Sequence, residues 1–580
     1  MCIAQSPSGK ASDSDSDIHR FESYLGSHNF WKSDNMTNKE YAEMLLPNVE
    51  HDAEYYENLY KPRNLDEKCV VTRFAPSPTG FVHMGSLLAA FIASKAAHDT
   101  NGVFYLRIED TDQKREVENG IEGIVADLQN FDISFDEGAL SREKEFGNYG
   151  PYIQSKRKDI YQAFARKLIE EDKAYPCFCS TEELNEIRSK QEETKRRIGY
   201  YGMSAKCRRL NREDVIEKVK NGEPYIIRLK SSGNFDRKIK IKDLVKGDIE
   251  FPENDIDVII IKSDGLPTYH FAHAVDDHLM HTTHVIRGDE WVSSLPVHID
   301  LFKTLGFKAP KYAHLSPLMK EEDGNKRKLS KRKDSEAAVS YYFSKGIPVE
   351  AVKLYLMTIA NTNFEDWYNC NKDKGLDDFK FEFNKISKSG SLFDMDKLLN
   401  ISKNYISTLK AEEVYEGALE YAKNFDDELY HLLSENKEYT IQILSIERYQ
   451  KKPRKDFSMY SDIKSAIWYM YPNLFDGSTY DRKLTDEELK IVEDYFSNIY
   501  GIEDTKEEWY SKIKDLASKY GYAKEVKEYK ENPQNFKGHV GDICEIIRYT
   551  VTSLTMTPDL YEILKLLGIK EIERRISLLK

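Results

Sequence analysis

The hydrophobic pattern of this chain predicts an open α/β unit at its centre and helices at its end. Apolar residues run from Cys69 to Phe74 as a strand. Pro76, Ser77, Pro78, Thr79 and Gly80 then turn the chain sharply. Leu87, Leu88, Phe91 and Ile92 recur at helical spacing, and Phe104–Ile108 forms a second strand. Further on, a helix is expected around Ile160–Leu168, a charged helix over Thr181–Arg197, and mixed strands in PYIIRLK and IEFPE. Val258–Ile261 is continuous β-branched hydrophobe, as a strand buried on both faces should be. His284–Arg287 makes another strand, and the helix after Trp291 runs to Leu305 and stops at Gly306. Residues 310–335 are expected as a basic loop. From about 336 the pattern is almost wholly helical, with breaks near Gly346–Pro348, Ser387–Gly390 and Asp476–Thr479. No fixed-period repeat is present. Residues 1–35 are polar and charge-patterned, and Met36 is a candidate natural start, so this leader is set aside. Residues 36–66 read as a short helical segment (Tyr41, Met44, Leu45) followed by an acidic, tyrosine-rich linker.

Composition bounds the class. Hydrophobic residues make up 40% of the 580 and charged residues 32%, as in an ordinary multidomain soluble protein. No apolar run approaches a membrane span, so no membrane partner is expected. The seven cysteines are scattered, which predicts reduced thiols and a cytoplasmic location. A net charge of −14 argues against a protein that coats nucleic acid non-specifically. An RNA enzyme with local basic surface on an acidic body remains compatible.

The candidate chemistry gathers around the first βαβ unit. Its turn leaves free backbone N–H groups and a positive helix end at one spot, which suits phosphate. His83 and Gly85 lie at that helix mouth. The imidazole can donate to a phosphoryl oxygen, and glycine allows close approach. Arg73, Glu109, Tyr269 and Arg287 each fall at or just beyond a strand end, where an open α/β sheet places its crevice. Two arginines call for anionic ligands and Glu109 for an ammonium, a set that an acidic amino acid would satisfy. Simple pairing of Arg73 or Arg107 with a neighbouring carboxylate is the open alternative. Six basic residues fall between 326 and 333, read on composition as a solvated loop or an RNA patch. Cys177, Cys179 and Cys207 supply three soft ligands where zinc wants four. Asp276 and Asp277 are taken as structural, capping or salt-bridging.

The wording of these segments is more specific than their spacing. RFAPSPTGFVHMGS resembles the class I aminoacyl-tRNA synthetase signature in its glutamyl form, and LRIEDTD resembles the next block of that family. Lys328-Leu329-Ser330-Lys331-Arg332 resembles the family's lysine-methionine-serine-lysine-serine loop, about 245 residues after His83. The resemblance implies an α/β Rossmann-type class I catalytic domain with an inserted acceptor-binding domain, then an all-α anticodon-binding region. The expected divisions are 1–35 leader, 36–66 extension, 67–150 first catalytic half and 151–254 insertion. They continue with 255–320 second catalytic half, 321–390 lysine-loop and stem-contact region, and 391–580 helical domain. It implies that Arg73, Ser77, Glu109, Tyr269 and Arg287 bind glutamate. His83, Gly85, Lys328 and Lys331 would act on ATP, with Leu318 against adenine. Met84 and Ser86 depart from the generic signature in a way usual for the glutamyl branch. Arg287 favours glutamate over glutamine, because a buried guanidinium facing an amide costs about 3–5 kcal/mol. Many members bind zinc through two such cysteines, a later one, and a histidine or tyrosine. Here Arg209 stands where the histidine would be and Tyr200 or Tyr201 is left to substitute, so the set is read as a metal-free remnant, with Zn2+ as the alternative. Residues 538–568 resemble the last helices of the bacterial glutamyl enzyme's cage, with Ser553 at a usual glycine, and RYQKKPRKDF (448–457) reads as a solvated face. The implied partners are glutamate tRNA, L-glutamate, ATP and Mg2+, for a cytoplasmic monomer. The alternatives are an enzyme that also charges glutamine tRNA and an inactive RNA-binding or regulatory paralogue.

Overall fold

The computed structural model describes residues 36–112, 116–330 and 332–579. The leader and Lys331 therefore lie outside the described residues. Helices Asn38–Leu45 and Ala53–Leu59 open the chain, each started by a side-chain cap, from Thr37 and Asp52. The second occupies what reads in the sequence as linker, because Tyr56 and Tyr60 are buried rather than solvated. Arg63 pins this segment down. It forks onto Glu137 at 2.8 and 2.9 Å, donates to the Met280 carbonyl and lies 3.9 Å over the Tyr149 ring.

Strand β1 (Val71–Phe74) is buried at all four residues, as expected. It pairs in parallel with β2 (Val103–Leu106), with Arg73 opposite Tyr105. Helix Met84–His98 makes the crossover. It is buried nearly all round, so its apolar residues form no narrow stripe. β3 (Glu137–Ala139) continues the sheet in parallel, and β4 (Glu145–Phe146) closes the edge antiparallel. Helix Lys158–Glu170 follows, then β5 (Ala174–Cys177) and helix Thr181–Glu193, with β6 (Ile226–Leu229) antiparallel to β5. β7 (Lys238–Asp243) and β8 (Gly247–Pro252) form a hairpin. β9 (Ile259–Ile261) is antiparallel to β6. The apolar run at 258–261 thus belongs to the β5–β6–β9 sheet rather than to the parallel sheet. Continuous hydrophobicity reports burial, not strand direction, and Ile260 and Ile261 are indeed buried.

β10 (His284–Gly288) pairs in parallel with β11 (Lys311–Leu315). Thr283 N–H donates to the Val71 carbonyl at 3.0 Å, which sets β10 beside β1. β7 joins the far side of β11 through Tyr312 and Asp243. The hairpin of the expected insertion therefore extends the catalytic sheet, and helix Lys158–Glu170 shares the catalytic core.

The expected basic loop at 310–335 is largely strand. β12 (Leu318–Glu322) and β13 (Asn325–Lys328) form a hairpin, and β14 (Ser391–Leu392) lies parallel to β12. Asp323 (φ 52°) and Gly324 (φ 75°) are both left-handed, as the favoured two-residue hairpin turn requires. Beyond β14 the described residues are helical. From Ile406 to Ile572 they build a second core separate from the first. Arg448 departs from the solvated face expected at 448–457: it is buried and caps the carbonyls of Ile406 and Leu409. No helix of the described residues is long and apolar enough to cross a membrane.

Candidate active site

The carboxyl ends of β1, β2, β10 and β11 converge on a cavity of about 430 Å3. Arg73, Glu109, Tyr269 and Arg287 line it together, with Ser77, His83, Gly85, Leu318 and Lys328. Every expected site residue within the described chain, the thiols apart, reaches this one space.

Two buried arginines, Arg73 and Arg287, line it and a third, Arg107, lies behind Glu109, each with different partners. Arg107 is spent on the protein: it donates to Asp277 at 2.7 Å and to Glu109 at 3.1 Å. Arg73 Nε approaches Asp277 at 3.5 Å but is buried without a hydrogen-bond partner among the described residues, in a residue only 4% exposed. A buried guanidinium in that state is poised for an anionic ligand. Against the upward push of burial, Arg107 and Arg73 hold Asp277 well below the usual carboxylate range. Asp276 takes Arg157 at 2.8 Å, Tyr161 at 2.8 Å and Gln154 at 2.9 Å. The acidic pair is structural through salt bridges, and neither residue caps a helix.

Arg287 has no carboxylate within ion-pair distance among the described residues. Its Nε donates to His314 Nε2 at 3.0 Å, Nη1 to Tyr269 Oη at 3.2 Å, and Nη2 meets His298 Nδ1 at 3.2 Å. Three of its five N–H donors are used, which leaves two. Tyr269 is also packed on Trp291, ring centroids 4.2 Å apart. Burial raises the Glu109 carboxyl above its ordinary value, a shift that Arg107 and Arg73 oppose. The cavity thus presents two guanidiniums and a carboxylate, complementary to a molecule with two anionic ends and a cationic one.

The phosphate end is built by the helix mouth. His83 is the N-cap residue of helix Met84–His98, and its Nδ1 accepts from Gly85 N–H at 2.9 Å. This fixes the neutral ring with its proton on Nε2, a donor. A side chain at residue 85 would press to 3.3 Å from that ring, so glycine serves the imidazole as well as the phosphate. Lys328, at the end of β13, has Nζ 3.7 Å from Glu290. The loop that follows is tied at its base by Asp334, which accepts from Arg327 at 2.6 and 2.7 Å and from Ser330 N–H at 2.9 Å.

The three thiols form a separate cluster, their sulfurs within 4.8 Å of one another. Cys179 and Cys207 are 3.6 Å apart, close to the ~3.8 Å that tetrahedral zinc with Zn–S of ~2.3 Å would impose. Tyr200 Oη lies 3.2 Å from Cys179 Sγ. Tyr201 donates instead to the Arg197 carbonyl, and Arg209 to the carbonyls of Gly202 and Met203. Tyr200 Oη thus stands beside the thiols, where it also accepts from Cys207 N–H at 3.1 Å.

The sequence reading missed Asp243, His298, His314 and Trp291. No motif or period marks them, since each matters only through contacts made in the folded sheet: Asp243 with His314 across 71 residues, His314 with Arg287 across 27 and His298 with Arg287 across 11.

Comparison with known proteins agrees with this geometry. Residues 69–400 match the family model for the catalytic domain of class I tRNA synthetases (E and Q). The chain is 46% identical over 548 residues to a glutamate–tRNA ligase of Clostridium beijerinckii, covering 93% of this chain and 99% of the relative. It is 46% identical over 544 residues to that of Acetivibrio thermocellus, covering 93% and 100%. Its fold matches the crystal structure of a glutamate tRNA ligase from Elizabethkingia meningosepticum in complex with its amino acid. The TM-score is 0.71 at 28% identity, over 88% of this chain and 99% of that one. On its sequence, its fold and the assembly of its cavity, the chain belongs to the class I tRNA synthetases of the glutamyl and glutaminyl type.

Proposed function

We propose that this chain is a glutamate–tRNA ligase. It joins L-glutamate to ATP as glutamyl-adenylate, releases pyrophosphate, and passes the glutamyl group to the 3′ end of glutamate tRNA in the cytoplasm. The observation that carries the reading is Arg287, buried, without a carboxylate partner among the described residues, and holding two N–H donors in reserve beside Arg73. The substrate's side-chain carboxylate takes those donors. Glu109 takes the α-ammonium and Tyr269 and Ser77 complete the pocket wall. The α-carboxylate is then left to attack the α-phosphorus of Mg-ATP, which lies toward His83 and Gly85 with adenine against Leu318. His83 Nε2–H and the lysines at 328 and 331 stabilise the charge that builds on the phosphate. No covalent enzyme intermediate is required.

Cys177, Cys179, Cys207 and Tyr200 would hold a structural zinc ion, one that braces the acceptor-binding region and takes no part in the reaction.

The test is charging of purified glutamate and glutamine tRNAs with labelled glutamate, ATP and magnesium. Charging of glutamate tRNA alone is the expected result. Charging of both tRNAs would make the enzyme non-discriminating, and charging of neither would overturn the ligase reading in favour of an RNA-binding paralogue.

A further inference from the structure

Arg287 differs from Arg107 and Arg157, two other buried arginines of the catalytic core, in what holds it. Arg107 rests on Asp277 and Arg157 on Asp276. Among the described residues Arg287 rests on aromatic and imidazole side chains only, and its nearest acidic support is one residue removed. His314 Nδ1 meets Asp243 Oδ2 at 2.6 Å while His314 Nε2 accepts from Arg287 Nε at 3.0 Å. Only one tautomer satisfies both contacts: the proton sits on Nδ1 and is donated to the carboxylate, and the Nε2 lone pair faces the guanidinium. Burial keeps the His314 ring below its usual imidazole range, so it stays neutral. Asp243 and His314 are both fully or almost fully buried.

We infer that Asp243 and His314 are positioning residues for substrate recognition: they hold Arg287 in its receiving orientation without neutralising it, an inference that rests on the glutamate reading of the cavity. A carboxylate placed directly on Arg287 would compete with the substrate's own carboxylate for the same donors. An imidazole placed between the two charges supplies direction and leaves the positive charge to the ligand. The carboxylate reaches this position from β7, whose hairpin lies in the segment expected to grip the tRNA acceptor end. Asp243 also anchors that hairpin to β11 through the Tyr312 pairing. The same side chain therefore joins the hairpin to the amino-acid pocket.

Asp243→Asn tests the relay, because Asp243 Oδ1 is already committed to the backbone N–H groups of Val245 and Lys246 at 2.9 and 2.8 Å. An asparagine keeps its oxygen there and turns its amide N–H toward His314. The ring must then carry its proton on Nε2, against the Arg287 N–H. The expected result is a KM for glutamate raised about tenfold or more, with kcat within about threefold and the KM for ATP within about twofold. His314→Ala should give the same split and carries the test should D243N fail to fold. Ile241→Ala is the control: it lies on the same strand, in the small apolar cluster with Val285, Leu295 and Tyr312, and contributes no hydrogen-bonding group to the relay, so it reports what loosened packing alone does. It should lower the unfolding midpoint and leave the glutamate KM unchanged. The inference is overturned if folded D243N and H314A keep the wild-type glutamate KM. It is equally overturned if they raise the KM for ATP and glutamate together, or if I241A reproduces their effect. Failure of wild type to charge glutamate tRNA would instead remove the functional reading beneath it.

Discussion

Replacing Arg287 with lysine keeps the positive charge and removes the planar fork, so it separates geometry from charge in the cavity. The guanidinium has five N–H donors, and three go to His314, Tyr269 and His298 at 3.0 to 3.2 Å. Two remain for the substrate's side-chain carboxylate. Lysine offers three donors from one nitrogen. It cannot satisfy acceptors spread around a flat group and also present two donors to a ligand. At least one charge-assisted bond to the carboxylate is lost, at about 1.5–3 kcal/mol, and the lysine leaves at least one buried ring acceptor unsatisfied. Because about 1.4 kcal/mol is tenfold, kcat/KM for glutamate should fall by roughly 10- to 150-fold. Arg287→Ala loses both bonds and the charge, and the fall should reach about 10²–10⁴-fold.

The assay is tRNA charging at limiting glutamate, with the KM for ATP measured alongside. The loss should appear in the glutamate KM and leave the KM for ATP near wild type, since His83 and Lys328 are untouched. An R287K enzyme within threefold of wild type in kcat/KM for glutamate would refute the reasoning. It would mean that Arg287 is a structural residue among its rings and that Arg73 alone receives the carboxylate.

Glu109→Gln should raise the glutamate KM and also raise thermal stability near pH 7. The fold raises the Glu109 pKa, so this group's contribution to stability is full below the unfolded value of about 4.5 and is lost as pH rises through the folded value. In wild type the glutamate KM should climb as pH falls through that raised value, and a pH profile that E109Q leaves unchanged would refute the assignment. Metal analysis of the purified protein should find one zinc per chain, lost in Cys179→Ser; absence of stoichiometric metal would mean that the thiols and Tyr200 are a metal-free remnant. Ser553→Gly should stabilise the C-terminal helices, because Ser553 ends helix Val540–Thr552 in a left-handed conformation at φ 56°. The gain is about 0.5–1 kcal/mol or roughly 1–3 °C in unfolding midpoint, and an unchanged or lowered midpoint would show that the serine is unstrained.

What the sequence made legible follows from how local each signal is. β1, its turn and helix Met84–His98 were readable because a buried strand and a helix mouth impose their residue types within a few positions. The glutamate and phosphate residues were readable because the family's blocks spell them out: Arg73 and His83 stand in one motif, and Lys328 in another. The β12–β13 hairpin carried a readable turn, Asp323-Gly324, but six nearby cations masked it, since strands of alternating Lys, Glu and Arg lack the apolar period that marks a half-buried strand. β9 showed the converse failure, where strong hydrophobicity gave burial correctly and left the partner strand undetermined. The support of Arg287 was not readable at all. Asp243 is 71 residues from His314, and His314 is 27 from Arg287, in three different strands. Such a relay has no sequence period and no motif. It exists only once β7 has docked beside β11 and β11 beside β10. The recognition motif therefore names the group that meets the ligand, and the topology of the sheet decides which neutral side chains may stand behind it. An arginine whose donors are taken up by close carboxylates, as those of Arg107 are by Asp277 at 2.7 Å and Glu109 at 3.1 Å, is closed to a substrate, whereas one held by His314 is open. That difference of one intervening imidazole is what turns a buried charge from a structural tie into a binding site.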